Sequence, residues 1–217
     1  MTDVFLEGVA TLDDLLHRLG EVPACRVRFR PLPGTATEDD VLAVERRENL
    51  LCELVDGVLV EKAMGYRESL LAAALIHLLR AFVLPRNLGL VSGADGMMRL
   101  GPGLVRIPDV AFVSWEHLPH RRVPIEAIPA LAPDLAVEVL SPGNSAAEML
   151  RQRHEYFAAG VRLVWSVDPD SRTVEVYKSP EACDRLTENE TLDGGAVLPG
   201  FSLSVKDLFA EMDRHGA

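Results

Sequence analysis

The run Leu135-Ala-Val-Glu-Val-Leu140 is apolar on both faces apart from a single carboxylate. A strand that shows one side to water alternates; a strand without alternation is covered on both sides, at the centre of a sheet. The residues that follow narrow the choice further. Ser141-Pro-Gly-Asn144 is a turn, Asn144 or Ser145 can cap a helix running to Ala159, and Gly160 is placed to close that helix. Val161 to Val167 is then a second buried strand, ended by Asp168-Pro169. A covered strand, a capped helix and another covered strand commit the chain to an α/β architecture.

The remaining elements fit around this unit. Thr11 caps a short amphipathic helix that stops at Gly20. Residues 25–37 first alternate like an exposed strand and then become a Pro/Gly loop; Thr37 opens a second helix ending near Asn49. Leu50 to Asp56 and Val58 to Lys62 form a hairpin at Asp56-Gly57. The stretch from Tyr66 is a long helix with apolar residues on nearly all faces, expected to lie buried until Pro85 and Asn87 end it. Residues 90–92 and 97–100 read as short strands. Residues 104–114 read as a clearer one, with Pro108 marking a strand start, an edge or a bulge. Residues 116–133 are a Pro-, His- and Arg-rich loop, and 172–177 pair as a hairpin neighbour of the strand before them. The tail from Pro199 is a short extended piece followed by a helix. The expected division is an N-terminal arm over 1–34 and one domain over 35–217, with an α+β mixed sheet.

Composition removes several classes of function. No apolar run approaches the roughly 20 residues that span a bilayer, and the acidic N-terminus lacks the basic region of a signal peptide. A cytoplasmic protein is expected. The three cysteines, Cys25, Cys52 and Cys183, match no zinc or redox spacing and read as buried or half-buried thiols. No dinucleotide-binding glycine motif, Walker loop, nucleophile elbow or zincin motif is present. The net charge of −11 argues against a protein held on nucleic acid by a basic face. It leaves room for a nuclease, whose metal restores positive charge locally.

Two residues violate their surroundings. Asp109 stands in a strand of Val, Ile, Ala and Phe, and Glu138 in the middle of the central apolar run. A carboxylate there carries a large desolvation penalty unless it is paired or holds a cation. Mg²⁺ takes oxygen ligands, often from one or two carboxylates, and keeps several waters. Two acids on neighbouring strands, with the Val139 carbonyl beside them, make such an open site. The other reading is that either acid pairs with Arg99, Arg106 or Arg162, or lies at an exposed strand end. His77 reads as a core histidine, His154 as a surface residue, and His117 with His120 as a pair lacking further ligands. Trp165, Phe157 and Tyr156 read as packing residues.

At this point the chain resembles a known family. Ile107-Pro108-Asp109-Val110, Pro133-Asp134-Leu-Ala-Val-Glu138-Val-Leu-Ser-Pro142 and Glu155-Tyr156-Phe-Ala-Ala-Gly160-Val-Arg-Leu-Val-Trp165-Ser-Val-Asp168-Pro169 are similar to the Uma-two family. Those bacterial proteins carry a PD-(D/E)xK nuclease fold and are regarded as restriction-endonuclease-like. Glu53-Leu-Val-Asp56-Gly57 and Met64-Gly-Tyr-Arg-Glu68-Ser69 fit the upstream pattern, and the resemblance spans about residues 35 to 210. It implies a core of helix, three strands, helix and strand, to which N-terminal helices and a β-hairpin are added.

The resemblance also implies roles. Asp109 and Glu138 become the metal-binding acids for Mg²⁺ or Mn²⁺, and Glu68 an auxiliary acid, although a first-turn glutamate also satisfies a helix dipole. Glu53 has a similar, weaker claim. The lysine that usually follows the glutamate by two positions is here Leu140, and the family's alternative lysine position on the next helix falls on Gln152. Glutamine can only orient a water; Arg151 and Arg153 flank it and could supply charge, but arginine accepts no proton near neutral pH. The implied function is a Mg²⁺-dependent endonuclease acting on DNA, with a homodimer expected from the habits of enzymes that cut two strands. The alternatives are a degenerate nuclease fold kept for binding or regulation and a hydrolase of small phosphorylated molecules.

Overall fold

The computed structural model of the protein describes residues 7–63 and 65–216. Its centre is a six-stranded mixed sheet made by β3 (Gly89–Gly93), β6 (Val110–Ser114), β7 (Leu135–Val139), β8 (Leu163–Asp168), β9 (Thr173–Tyr177) and β10 (Cys183–Leu186). They are ordered β10-β9-β8-β7-β6-β3. Only β7 and β8 run parallel, joined through the helix α4 (Ala146–Ala158). All five β7 residues are buried, as the unbroken apolar run demands.

The period-two geometry of a strand assigns the layers. Leu135, Val137 and Val139 join Leu163, Trp165 and Val167 in one core, against the helices α3 (Tyr66–Val83) and α5 (Val205–Ala210). Ala136 and Val164 face the other way and pack with Tyr156 of α4. α3 is more one-sided than its composition suggested: Leu71, Leu75, Leu79 and Val83 are buried, whereas His77 is exposed and not a core histidine.

A second, four-stranded sheet has the order β2-β1-β5-β4, from β1 (Cys52–Val55), β2 (Val58–Glu61), β4 (Met98–Gly101) and β5 (Leu104–Arg106). The hairpin between β1 and β2 turns at Asp56 (φ 51°) and Gly57 (φ 71°), the double left-handed geometry that suits strand twist. One face packs on α2 (Glu38–Glu48) through Val41 and Val44. The other packs on α1 (Leu12–Arg18) through Leu15, with Leu19, Val22 and Val27 beside it. Thr11 and Thr37 cap these helices with capping boxes.

The single strand expected over 104–114 is two strands in two sheets. β5 pairs with β1 and β4, and after Ile107-Pro108-Asp109 the chain continues as β6 between β3 and β7. Proline offers no amide to a ladder, so the ladder breaks there and the chain changes sheet. The exposed strand expected after Cys25 is a 3₁₀ turn (Ala24–Arg26) followed by an isolated bridge from Val27 to Val60. Five strands lie between α3 and α4, of which β3, β6 and β7 enter the central sheet. With β8 after α4, this is the helix, three strands, helix, strand order of a restriction-endonuclease-like core. β11 (Thr191–Gly194) and β12 (Leu198–Ser204) form a separate ribbon that supplies Leu192, Leu198 and Phe201 to the main core. Cys52 is buried, but Cys25 and Cys183 are exposed, and all three are free thiols. No helix among the described residues is long and apolar enough to cross a membrane.

Candidate active site

β6 and β7 pair antiparallel with Val110 opposite Val137, so the next step of the register brings Asp109 opposite Glu138. By strand parity both side chains leave the sheet on the α4 face. Asp109 is held first by the backbone: Val139 N donates to its Oδ2 at 2.7 Å. Glu138 is held from α4, where Gln152 Nε2 and the Tyr156 hydroxyl donate to its Oε1 at 2.8 and 2.5 Å. Gln152 also donates to the Tyr156 hydroxyl at 3.1 Å. Both its donor contacts are therefore spent on positioning Glu138, rather than on a water. Tyr156, read from sequence as packing, also has this polar role.

The cation that faces the acids is one the sequence did not single out. Lys62, just beyond β2, places Nζ 2.8 Å from Asp109 Oδ1 and 3.9 Å from Glu138 Oε2, and donates to the Ile107 carbonyl. Its side chain is only 9% exposed. The four-stranded sheet thus delivers a lysine onto the acids of the six-stranded sheet. Neither expected arginine does this. Arg151 pairs with Glu155 and Asp56 at 2.7 and 3.1 Å. Arg153 turns to the Pro180 carbonyl and the Tyr177 ring. The arginines weighed as partners for the acids are engaged elsewhere as well: Arg99 with Glu38, Arg106 with Glu53 and Glu155, and Arg162 with Asp134.

Glu53 lines the same small cavity, with Lys62, Asp109, Glu138, Gln152 and Asn144 among its walls. Its two oxygens accept from Arg106 Nη1 at 2.5 Å and Ile107 N at 2.9 Å. Glu68, 7% exposed at the start of α3, does not line that cavity and makes no side-chain hydrogen bond or ion pair among the described residues. Of the two auxiliary acids, Glu53 is the one brought to the pair.

Burial and neighbours set the charge states. Burial, against the pull of Lys62 and with the push of Asp109 and Glu53, raises Glu138 to a pKa of about 8. Burial alone would favour a neutral Lys62, but Glu138, Asp109 and Glu53 outweigh it and raise its pKa, so it stays an ammonium. Burial also opposes the charge on Glu53, yet Arg106 and Lys62 hold its carboxyl below the usual range. Tyr156 is kept protonated by burial and by Glu138.

The donor set fits a hard dication. Asp109 Oδ1 and Glu138 Oε2 face the cavity, and the ammonium is the sole partner of each among the described residues. No third His, Cys, Asp or Glu completes a cluster there among the described residues. An ion bound by these two oxygens would have to displace the Lys62 ammonium, which stands 2.8 and 3.9 Å from them, and open the cavity to complete its shell with waters.

A comparison with the curated proteins finds no match. Among solved structures, one from Anabaena variabilis, described as a "putative nuclease belonging to DUF820", superposes with a TM-score of 0.68 at 22% identity, covering 76% of this chain and 92% of that one. At that identity the likeness carries the fold, which is restriction-endonuclease-like. Residues 19–206 match the sequence profile of Uma2, described as "Putative restriction endonuclease", and the chain belongs to that family.

Proposed function

We propose that the chain is a Mg²⁺- or Mn²⁺-dependent endonuclease that hydrolyses phosphodiester bonds of DNA. The observation that carries this reading is the convergence of Asp109, Glu138 and Lys62, from two sheets, on one small polar cavity. Asp109 and Glu138 would hold the ion. When bound, the ion polarises a phosphoryl oxygen and lowers the pKa of a coordinated water. Asp109 is kept in place by the Val139 amide, and Glu138 by Gln152 and Tyr156, so loading would displace the Lys62 ammonium and the Glu138 proton without moving the two acids off their supports. Lys62 brings a fixed positive charge to the place where a phosphate would gain negative charge. It stands in for the lysine missing at positions 140 and 152.

The test uses the purified chain with supercoiled plasmid and with single-stranded RNA, under Mg²⁺, Mn²⁺ or EDTA, alongside calorimetric titration of each metal. Metal-dependent plasmid nicking is expected, with Asp109→Asn and Lys62→Met each lowering it about 100-fold or more, the scale of losing one charge-stabilising group. Asp109→Asn should also weaken Mg²⁺ binding, whereas Lys62→Met should not. Undiminished cleavage by Asp109→Asn would sink the assignment.

A second reading is a nuclease fold retained for binding or regulation. The closed ion pair between Lys62 and Asp109 favours it, because the acids are neutralised without any metal. Metal binding that depends on Asp109, with no cleavage of either nucleic acid, is the outcome that selects it.

A further inference from the structure

Beside the catalytic cavity lies a second one of about 560 Å³, between the start of α4 and the β8–β9 hairpin. The two share Asn144 as a wall. Ser166, which lines the second, is the register partner of Glu138 across the parallel pair of β7 and β8. A nucleotide whose phosphate sits at Glu138 therefore has this cavity within reach of its base.

The walls suit a base better than a phosphate. Arg153 lays its guanidinium over the Tyr177 ring, 4.0 Å from the centroid, while its Nε donates to the Pro180 carbonyl at 2.7 Å. One face of the guanidinium is thereby fixed against an aromatic ring, and a planar group can stack on such a plane. Leu140, Met149 and the half-exposed Leu150 supply apolar wall. The carboxylates Asp168 and Glu175 make the rim negative, which disfavours a second phosphate there. Asp168 is already committed to Asp170 N and to Ser171. Glu175 is different: its Oε2 accepts from the Tyr177 hydroxyl at 2.7 Å, and its Oε1 accepts no hydrogen bond among the described residues. A free carboxylate oxygen accepts from an exocyclic amino group, as on cytosine. Thymine and uracil present carbonyl oxygens at that place and are repelled.

We infer that this cavity receives an unstacked, amino-bearing nucleobase adjacent to the phosphate held at Asp109 and Glu138, with Arg153 as its stacking plane and Glu175 as its selector. The inference rests on the phosphodiesterase reading above and adds a preference: single-stranded or unpaired nucleic acid over intact duplex, since a paired base must first leave its stack.

Fluorescence anisotropy of labelled oligo-dC, oligo-dT and a short blunt duplex tests it, with Ca²⁺ replacing Mg²⁺ and probe integrity checked on gels. Wild type should bind oligo-dC about tenfold more tightly than oligo-dT or duplex. Arg153→Met, which keeps the alkyl stem but removes the stacking plane, should weaken oligo-dC binding about tenfold. Glu175→Gln, whose amide can donate to thymine, should bring the dC/dT ratio close to one with the thermal midpoint retained. Equal affinity of wild type for oligo-dC and oligo-dT, no binding of oligo-dC, or an unaffected Glu175→Gln ratio overturns the subsite. Mg²⁺-dependent cleavage measured in parallel separates the two claims. A dC preference without cleavage keeps the subsite and removes the nuclease, and cleavage without the preference does the reverse.

Discussion

Glu138 is a buried acid with a divided environment. On one oxygen it accepts from Gln152 and Tyr156, and the other faces Lys62 and the cavity. Its pKa of about 8 lies above the ordinary glutamate value of 4.5, with burial as the main cause. The folded chain therefore holds a proton on Glu138 that the unfolded chain releases once the pH exceeds 4.5. Stability from this group is complete below that value and is lost as the pH rises through about 8. Other carboxylates act in the opposite sense, so the readout is a difference. The thermal midpoint of metal-free wild type minus that of Glu138→Gln should fall steadily between pH 5 and pH 8, as read by scanning fluorimetry. A flat difference would mean that Lys62 keeps the acid ionised throughout. Asp109 and Glu138 were legible in the sequence because a carboxylate in an apolar strand breaks a burial rule. Lys62 was not: a lysine ending a hairpin strand looks the same whether it faces water or a buried acid. Nothing local in the sequence tells that two sheets close over it.

At the scale of elements, the hairpin of β1 and β2 delivers Glu53 and Lys62, so its turn bears on the site although it lies far from it along the strands. Asp56-Gly57 was readable as a turn from the dipeptide alone. The reason Gly57 must be glycine is tertiary. It has φ +71°, and a Cβ there would stand 2.6 Å from the Gly34 carbonyl oxygen. The Gly57 carbonyl also accepts from Gly34 N and Ala36 N at 2.8 and 2.9 Å, tying the arm to the turn. Gly57→Ala brings a left-handed alanine and a backbone clash together. The expected loss is about 1–3 kcal/mol, the range for strain in a sparsely populated region, measured by urea denaturation. Metal-dependent cleavage per folded molecule should fall with it, because the register that aims Lys62 is set at this turn. The break at Pro108 is an element-scale feature the sequence half disclosed: proline marked an interruption, but only pairing partners decide that the chain passes from one sheet to the other.

At the scale of the whole molecule, the acids and the lysine belong to different sheets, so the site exists only while the two sheets keep their relative placement. A buried ion pair spans that junction. Arg26, from the turn after α1, makes a bidentate pair with Glu148 of α4 at 2.9 and 2.8 Å. It also donates to the Glu61 carbonyl beside Lys62, at 2.7 Å, and to the Gly143 carbonyl ahead of α4, at 2.8 Å. One guanidinium thereby joins the hairpin edge that carries Lys62 to the helix that carries Gln152. Nothing local in the sequence marks Arg26 for this role, because its partner is more than a hundred residues away; only the fold reveals the contact. Both side chains are at least nine-tenths buried, so deleting one charge leaves the other desolvated and unpaired, a cost of about 3–5 kcal/mol. Arg26→Met should lower stability by that order. Adding Glu148→Gln should recover a good part of the loss, since the stranded carboxylate is then gone. Recovery of stability should not restore cleavage, because the methionine still leaves the Glu61 and Gly143 carbonyls unjoined. If cleavage returns with stability in the double variant, the pair serves the fold alone and Lys62 is placed by the hairpin without it.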